Sequence, residues 1–153
     1  MRSIAAFAGA MALTLSLIGG AWAMDGDGPK SNHPDFAKAV DALDLKDYQR
    51  AITLLANVIQ AEPKNPDAEN LTGYANRMLK NYDLAVSHYQ RALELDPKHR
   101  GAHEYLGITY LEIDQPDKAD ALLTSLKELC AFCAERRSLD KAVKAYKRGE
   151  KTS

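Results

Sequence analysis

Cysteine is scarce in this chain: there are two, Cys130 and Cys133, both in the stretch ELCAFCAER (128–136). No second C-x-x-C accompanies them and no histidine stands within a few residues, so the sequence supplies half of a tetrahedral metal site at most. Ala134 follows Cys133 where covalent c-type haem attachment needs histidine, which excludes that chemistry. The four histidines, His33, His88, His99 and His103, are scattered. A glycine-rich phosphate loop, a nucleophile elbow and a zincin motif are all missing. No stretch alternates apolar and polar residues as a half-buried strand does. Neither sign of charge dominates, with 20 basic residues against 21 acidic, so nothing favours nucleic acid or a membrane surface. These absences lead us to expect no catalytic residues, no cofactor, no metal and no small-molecule substrate.

The one long apolar run is at the start, MRSIAAFAGAMALTLSLIGGAWA. Arg2 precedes an uncharged stretch from Ile4 to Ile18, Gly19 and Gly20 break it, and Ala21-Trp22-Ala23 places small residues where a signal peptidase reads. We read residues 1–23 as a secretory signal peptide cleaved after Ala23; a membrane contact is expected only if that leader stays attached. Its removal takes away one arginine and no acid, leaving 19 basic residues against 21 acidic. Export makes a periplasmic or secreted location the expectation, in an oxidising compartment where a disulfide persists. Residues 24–33 read as a flexible linker; DGDG begins like a calcium loop, but Pro29 and the lack of a closing glutamate break the match.

The strongest positive signal is self-similarity. A shift of 34 superimposes DYQRAITLLANVIQAEPKNPD (47–67) on NYDLAVSHYQRALELDPKHRG (81–101). Ala51, Ala85 and Ala119 share a column, as do Leu55, Tyr89 and Leu123, and Val58, Ala92 and Leu126. Pro63 and Pro97 share another, whose third member is Ala131, and upstream Ala39, Gly73 and Gly107 align. On these columns the chain resembles the tetratricopeptide repeat family, whose unit is a helix–turn–helix of 34 residues. The resemblance implies an all-α fold: three tandem repeats, about 32–65, 66–99 and 100–133, forming a short right-handed solenoid, with a capping helix and tail in 134–153. The family's early tryptophan is absent; Asp35, Glu69 and His103 occupy that column.

The residues read on their own agree. In DLAVSHYQRALEL the apolar positions recur at helical spacing. Asp47 and Asn81 stand where N-caps belong, and Pro116 stands in a first turn, where its missing N–H costs nothing. Small residues in the repeated columns let helices cross closely, and Pro63 and Pro97 end the second helices. Ser138 is the expected cap of a last helix striped by Leu139, Ala142, Val143 and Tyr146. Its other face, Lys141, Lys144, Lys147 and Arg148, reads as a solvated face.

Stacked repeats of this family bind peptides on a wall lined by first helices. Carried over by position, the lining residues are Phe36, Val40 and Leu43 in the first repeat, Asn70, Tyr74 and Arg77 in the second, and Glu104, Ile108 and Leu111 in the third. Chaperone-binding members place Lys and Asn in the first repeat's columns; Phe36 and Val40 stand there instead, so that carboxylate specificity is not expected. The functional expectation is a non-catalytic adaptor of the bacterial cell envelope that holds a protein partner. Two alternatives remain open: a thiol–disulfide redox protein using Cys130 and Cys133, and a self-assembling scaffold in which one copy stacks on another. The cysteine pair itself is read first as a disulfide candidate that pins the turn into the last helix. A loop so small stabilises by about 2 kcal/mol.

Overall fold

The computed structural model describes residues 30–150, and among them every regular element is a helix. Seven follow in order: α1 (Pro34–Asp44), α2 (Tyr48–Ala61), α3 (Pro66–Met78), α4 (Tyr82–Leu95), α5 (Arg100–Glu112), α6 (Pro116–Leu129) and α7 (Ala134–Lys147). The expected signal peptide, the calcium-like DGDG and most of the expected linker lie outside the described residues. Residues 30–33 are tied to the α2–α3 turn. The Lys30 backbone N–H donates to Asp67 at 3.0 Å, the Asn65 amide donates to the Lys30 carbonyl at 3.1 Å, and the Ser31 hydroxyl donates to Glu62 at 2.8 Å.

Local chemistry explains where the helices start. Asp47 accepts from the Arg50 N–H at 3.2 Å and Asn65 from the Ala68 N–H at 3.0 Å, each satisfying a backbone donor that has no partner inside the helix. Histidines do the same work at α1 and α5, where His33 Nδ1 accepts from Asp35 and His99 Nδ1 from Ala102. Because its Nδ1 accepts, His99 carries its hydrogen on Nε2 and donates it to Asp67 at 3.0 Å, joining α5 to α3. Asn81 occupies the N-cap of α4 but makes no capping bond; its amide donates to Asn76 instead, at 3.4 Å.

The first helices all end alike. Lys46, Lys80 and Asp114, spaced by the repeat, adopt φ near +60°. At the α1 end the Asp47 N–H reaches the Ala42 carbonyl and the Lys46 N–H reaches Leu43, the paired bonds of a Schellman motif. The same pairing recurs at Asn81–Asn76 with Lys80–Arg77, and at Gln115–Tyr110 with Asp114–Leu111.

It recurs a fourth time at the end of α7, where Glu150 bonds Ala145 and Gly149 bonds Tyr146 with φ of 76° at Gly149. Helix α7 starts 34 residues after α5, as α5 starts 34 after α3. It packs on α5 and α6 as α5 packs on α3 and α4. The capping helix is therefore the first helix of a fourth unit whose second helix is not among the described elements. Its N-cap is Cys133, not Ser138 as the sequence suggested. The α6 helix stops at Cys130, whose backbone is extended, and Ala134 and Glu135 resume helix at once, with the glutamate favourable beside the positive helix end.

Buried side chains form two clusters. One gathers α1, α2 and the inner face of α3 around Phe36, Leu43, Leu55 and Leu71. The other joins α4–α7 around Tyr89, Leu106, Leu123, Leu126 and Leu139. The small columns act as the sequence implies. A Cβ on Gly73 would stand 2.7 Å from ring carbons of Tyr89, and one on Gly107 would stand 2.6 Å from a methyl of Leu139.

Candidate partner-binding wall

The first helices α1, α3 and α5 carry all nine residues singled out from the sequence, and the fold treats them unequally. Phe36 and Leu43 belong to the first core cluster and Leu111 to the second. Asn70 is 1% exposed. Val40, Tyr74, Arg77, Glu104 and Ile108 are half-buried, with part of each side chain open. Of the nine, the apolar side chains that stay partly open are Val40, Tyr74 and Ile108, one per repeat and all in one column.

Arg77 is the centre of the wall. Its Nη1 donates to Glu112 Oε1 at 2.7 Å, bridging α3 and α5. The guanidinium lies 5.6 Å from the Tyr74 ring centre and 6.0 Å from that of Tyr105, within cation–π range. A chain of rings runs past it: Tyr48 to Tyr74 at 6.3 Å, Tyr74 to Tyr105 at 5.4 Å and Tyr105 to Tyr89 at 6.1 Å. Burial works against the Arg77 charge, yet Tyr89 and Glu112 beside it push its pKa above the ordinary guanidinium value. Burial also pushes the Tyr89 and Tyr105 hydroxyls up, so both stay protonated through neutral pH.

One row of the wall is polar. Asn70, Glu104 and Ser138 occupy the same column on α3, α5 and α7. Burial pushes the Glu104 carboxyl up to about 7, against a hydrogen bond from Ser138, and the neighbouring Glu135 charge adds to the rise. Glu135 is 4% exposed, and its Oε2 has no hydrogen-bond partner. Neither polar atom of the Asn70 amide has one either. Buried polar atoms left this way cost about 1–3 kcal/mol each. Reading by repeat columns missed Tyr105, Glu112, Glu135 and Ser138. Ser138 could have been found, since it lies 34 residues after Glu104; reading it as a helix cap concealed it.

The two cysteines lie in the turn between α6 and α7. Their Cα atoms are 5.8 Å apart, inside the span a disulfide requires, and their sulfurs meet. Among the described residues no group of three or more His, Cys, Asp or Glu side chains could hold a metal ion. None of the described helices is long and apolar enough to cross a membrane.

Comparison with known proteins is consistent with this geometry. Two family models described as tetratricopeptide repeat match, one over residues 36–100 and the other over 77–139. The DnaJ protein P58IPK homolog A of rice is 40% identical over 75 residues, which is 48% of this chain and 16% of that protein. The chain thus spans about one-sixth of the length of that relative. Among solved structures, MamA from Desulfovibrio magneticus superposes with a TM-score of 0.60 at 27% identity, over 62% of this chain and 54% of the other. The TPR2B domain of yeast Sti1, in its complex with pHsp70, superposes with a TM-score of 0.70 at 14% identity, over 76% and 95%. The first TPR of Spaghetti (RPAP3), bound to the HSP90 peptide SRMEEVD, gives 0.66 at 21%, over 72% and 89%. Both resemblances at lower identity speak for the fold alone. With a 34-residue period carried through seven helices and two matching models that together run from residue 36 to 139, the chain belongs to the tetratricopeptide repeat family.

Proposed function

We propose that the protein is an adaptor of the bacterial cell envelope, and that the wall formed by α1, α3, α5 and α7, itself non-catalytic, receives one segment of a partner protein. The observation that carries this reading is a column of partly open apolar side chains, one per repeat, on the same wall as the partly open carboxyl of Glu104. Val40, Tyr74 and Ile108 offer an apolar strip. Glu104, one helical turn from Ile108 on α5, offers a carboxyl beside that strip. A peptide supplies both kinds of complement, since its backbone donates and accepts and its side chains bury.

Arg77 does not recognise the partner directly in this reading. Its charge is committed to Glu112, and its role is to hold Tyr74 and Tyr105 in place. The end of the wall at Glu104 and Glu135 is acidic, so the partner segment carries Lys or Arg there. That is opposite in sign to carboxylate capture. Export through the N-terminal leader, and a disulfide between Cys130 and Cys133 in the compartment reached, complete the proposal.

The test is capture of the partner by the intact protein and by a Tyr74→Ala, Ile108→Glu double variant. Loss of the partner with an unchanged helical circular dichroism spectrum supports the reading. Equal capture by the variant removes the wall from it.

A further inference from the structure

The turn that joins α6 to α7 places Cys130 at the carboxyl end of one helix and Cys133 at the amino end of the next. The two sulfurs therefore have different surroundings. The negative carboxyl end of a helix disfavours a thiolate. That holds for Cys130 alone, whose Sγ also lies 3.3 Å from the Leu126 carbonyl oxygen. Cys133 is the N-cap of a helix of 14 residues and makes no capping bond with its side chain. The first-turn N–H groups of α7 thus face the position where a Cys133 thiolate would form.

Two further features belong to the same turn. Arg136 and Arg137 fold back over it, Arg136 donating to the Ala131 carbonyl and Arg137 to the Phe132 carbonyl at 3.3 Å. This puts two positive charges over the loop between the sulfurs. Phe132, between the cysteines, is 85% exposed, the most open large apolar side chain among the described residues. Both cysteines are themselves half-exposed.

We propose that Cys130 and Cys133 form a thiol–disulfide exchange site whose substrate is a dithiol segment of another protein, with Cys133 the sulfur that takes up the substrate. A substrate thiolate attacks Cys133 Sγ, the Cys130–Cys133 bond breaks, and Cys130 leaves as thiolate and takes a proton. The second substrate thiol, deprotonated, attacks the substrate sulfur of the mixed disulfide and releases Cys133 as thiolate. The substrate ends as a disulfide, the pair ends as two thiols, and two electrons and two protons have passed to it. The asymmetry of the turn acts at both steps: the positive α7 amino end and the two arginines draw the incoming substrate thiolate to Cys133, and they favour the second departure. The thiolate released in the second step is the one that the α7 amino end and the two arginines stabilise, and a stabilised leaving thiolate departs faster. Phe132 offers the incoming segment an apolar contact beside the bond that breaks. Arg136 and Arg137 are positioning residues, acting through the charge they place over the loop.

The experiment uses the purified protein, first reduced and then oxidised. The rate of iodoacetamide alkylation against pH, resolved by mass spectrometry of the two cysteine peptides, gives each thiol's titration. Cys133 is expected to titrate below about 7.5 and Cys130 above it. In Arg136→Gln, Arg137→Gln the Cys133 midpoint moves up by about a unit while the helical spectrum is unchanged, which a merely structural role of the arginines would not produce. The oxidised protein is then mixed with a synthetic peptide bearing two cysteines. Formation of the peptide disulfide supports the proposal, as does, when the same peptide is supplied already as its disulfide to the reduced single-cysteine variants, a mixed disulfide that accumulates on Cys133 in Cys130→Ser but not on Cys130 in Cys133→Ser. It is overturned if both thiols titrate at about 8.5 or above, if the oxidised pair leaves the peptide reduced, or if the mixed disulfide forms equally on either cysteine.

Discussion

The two glycines of the repeat column look interchangeable in sequence and are not in energy. At Gly73 a methyl group would press on the Tyr89 ring, which is fully buried and cannot move aside. At Gly107 it would meet the terminal methyls of Leu139, which can rotate by changing one torsion. Overpacking of this kind costs about 1–3 kcal/mol. Gly73→Ala therefore falls at the upper end, about 3 kcal/mol, and Gly107→Ala nearer 1, as urea denaturation of the two variants will measure. Glu104 gives the protein a pH dependence with a definite sign. Burial lifts its pKa from 4.5 to about 7 in the folded state, so the fold holds this proton more tightly than the unfolded chain does. Its contribution is most favourable below pH 4.5 and is lost as the pH rises through about 7. Glu104→Gln should match the parent protein's melting temperature at pH 4 and exceed it at pH 8, with a flatter profile between. A variant that melts lower at pH 8 would show that the carboxylate is stabilised in the fold.

At the scale of elements, the left-handed turns and the last helix are the points of leverage. Lys80 holds φ of 63° at the end of α3, a conformation that costs a side chain about 1 kcal/mol and glycine almost nothing. The lysine is exposed, so Lys80→Gly should stabilise by about 0.5–1 kcal/mol in the same denaturation experiment. Helix α7 closes the second core cluster through Leu139, which is fully buried against Gly107. Leu139→Ala should cost about 3 kcal/mol, the middle of the range for a buried leucine. Hydrogen exchange should place the loss in α5–α7, with α1 and α2 unaffected, because the two clusters divide the chain there.

These elements also mark how far the sequence could be read. The 34-residue period located every helix pair, because small and large columns answer to steric contact, which repeats with the backbone. The end of α6 was harder. Pro63 and Pro97 signal the ends of α2 and α4, whereas α6 stops in the same column with Ala131 there; its end is marked only by the extended backbone of Cys130. Ser138 looked like a cap by residue type, yet it lies inside α7 because helix resumes directly after Cys133.

For the molecule as a whole, the legible part is the scaffold and the obscure part is which wall residues stay open. The columns that gave Phe36, Val40 and Leu43 are equivalent from repeat to repeat in sequence. Exposure along them depends on what each neighbouring helix carries, so Leu43 and Leu111 close while Arg77, in the same column, stays partly open against Glu112. Glu135 belongs to the wall only because α7 stacks on α5, which no local pattern reveals. The central claim is that this wall meets a partner and the opposite face does not. Photo-crosslinking in intact cells tests it most directly, with the reactive residue placed at position 108 on α5 or at position 91 on the exposed face of α4. The account predicts one covalently captured protein from position 108, joined through a segment that contains Lys or Arg, and none from position 91. Capture from position 91 alone, or from neither position, would contradict it.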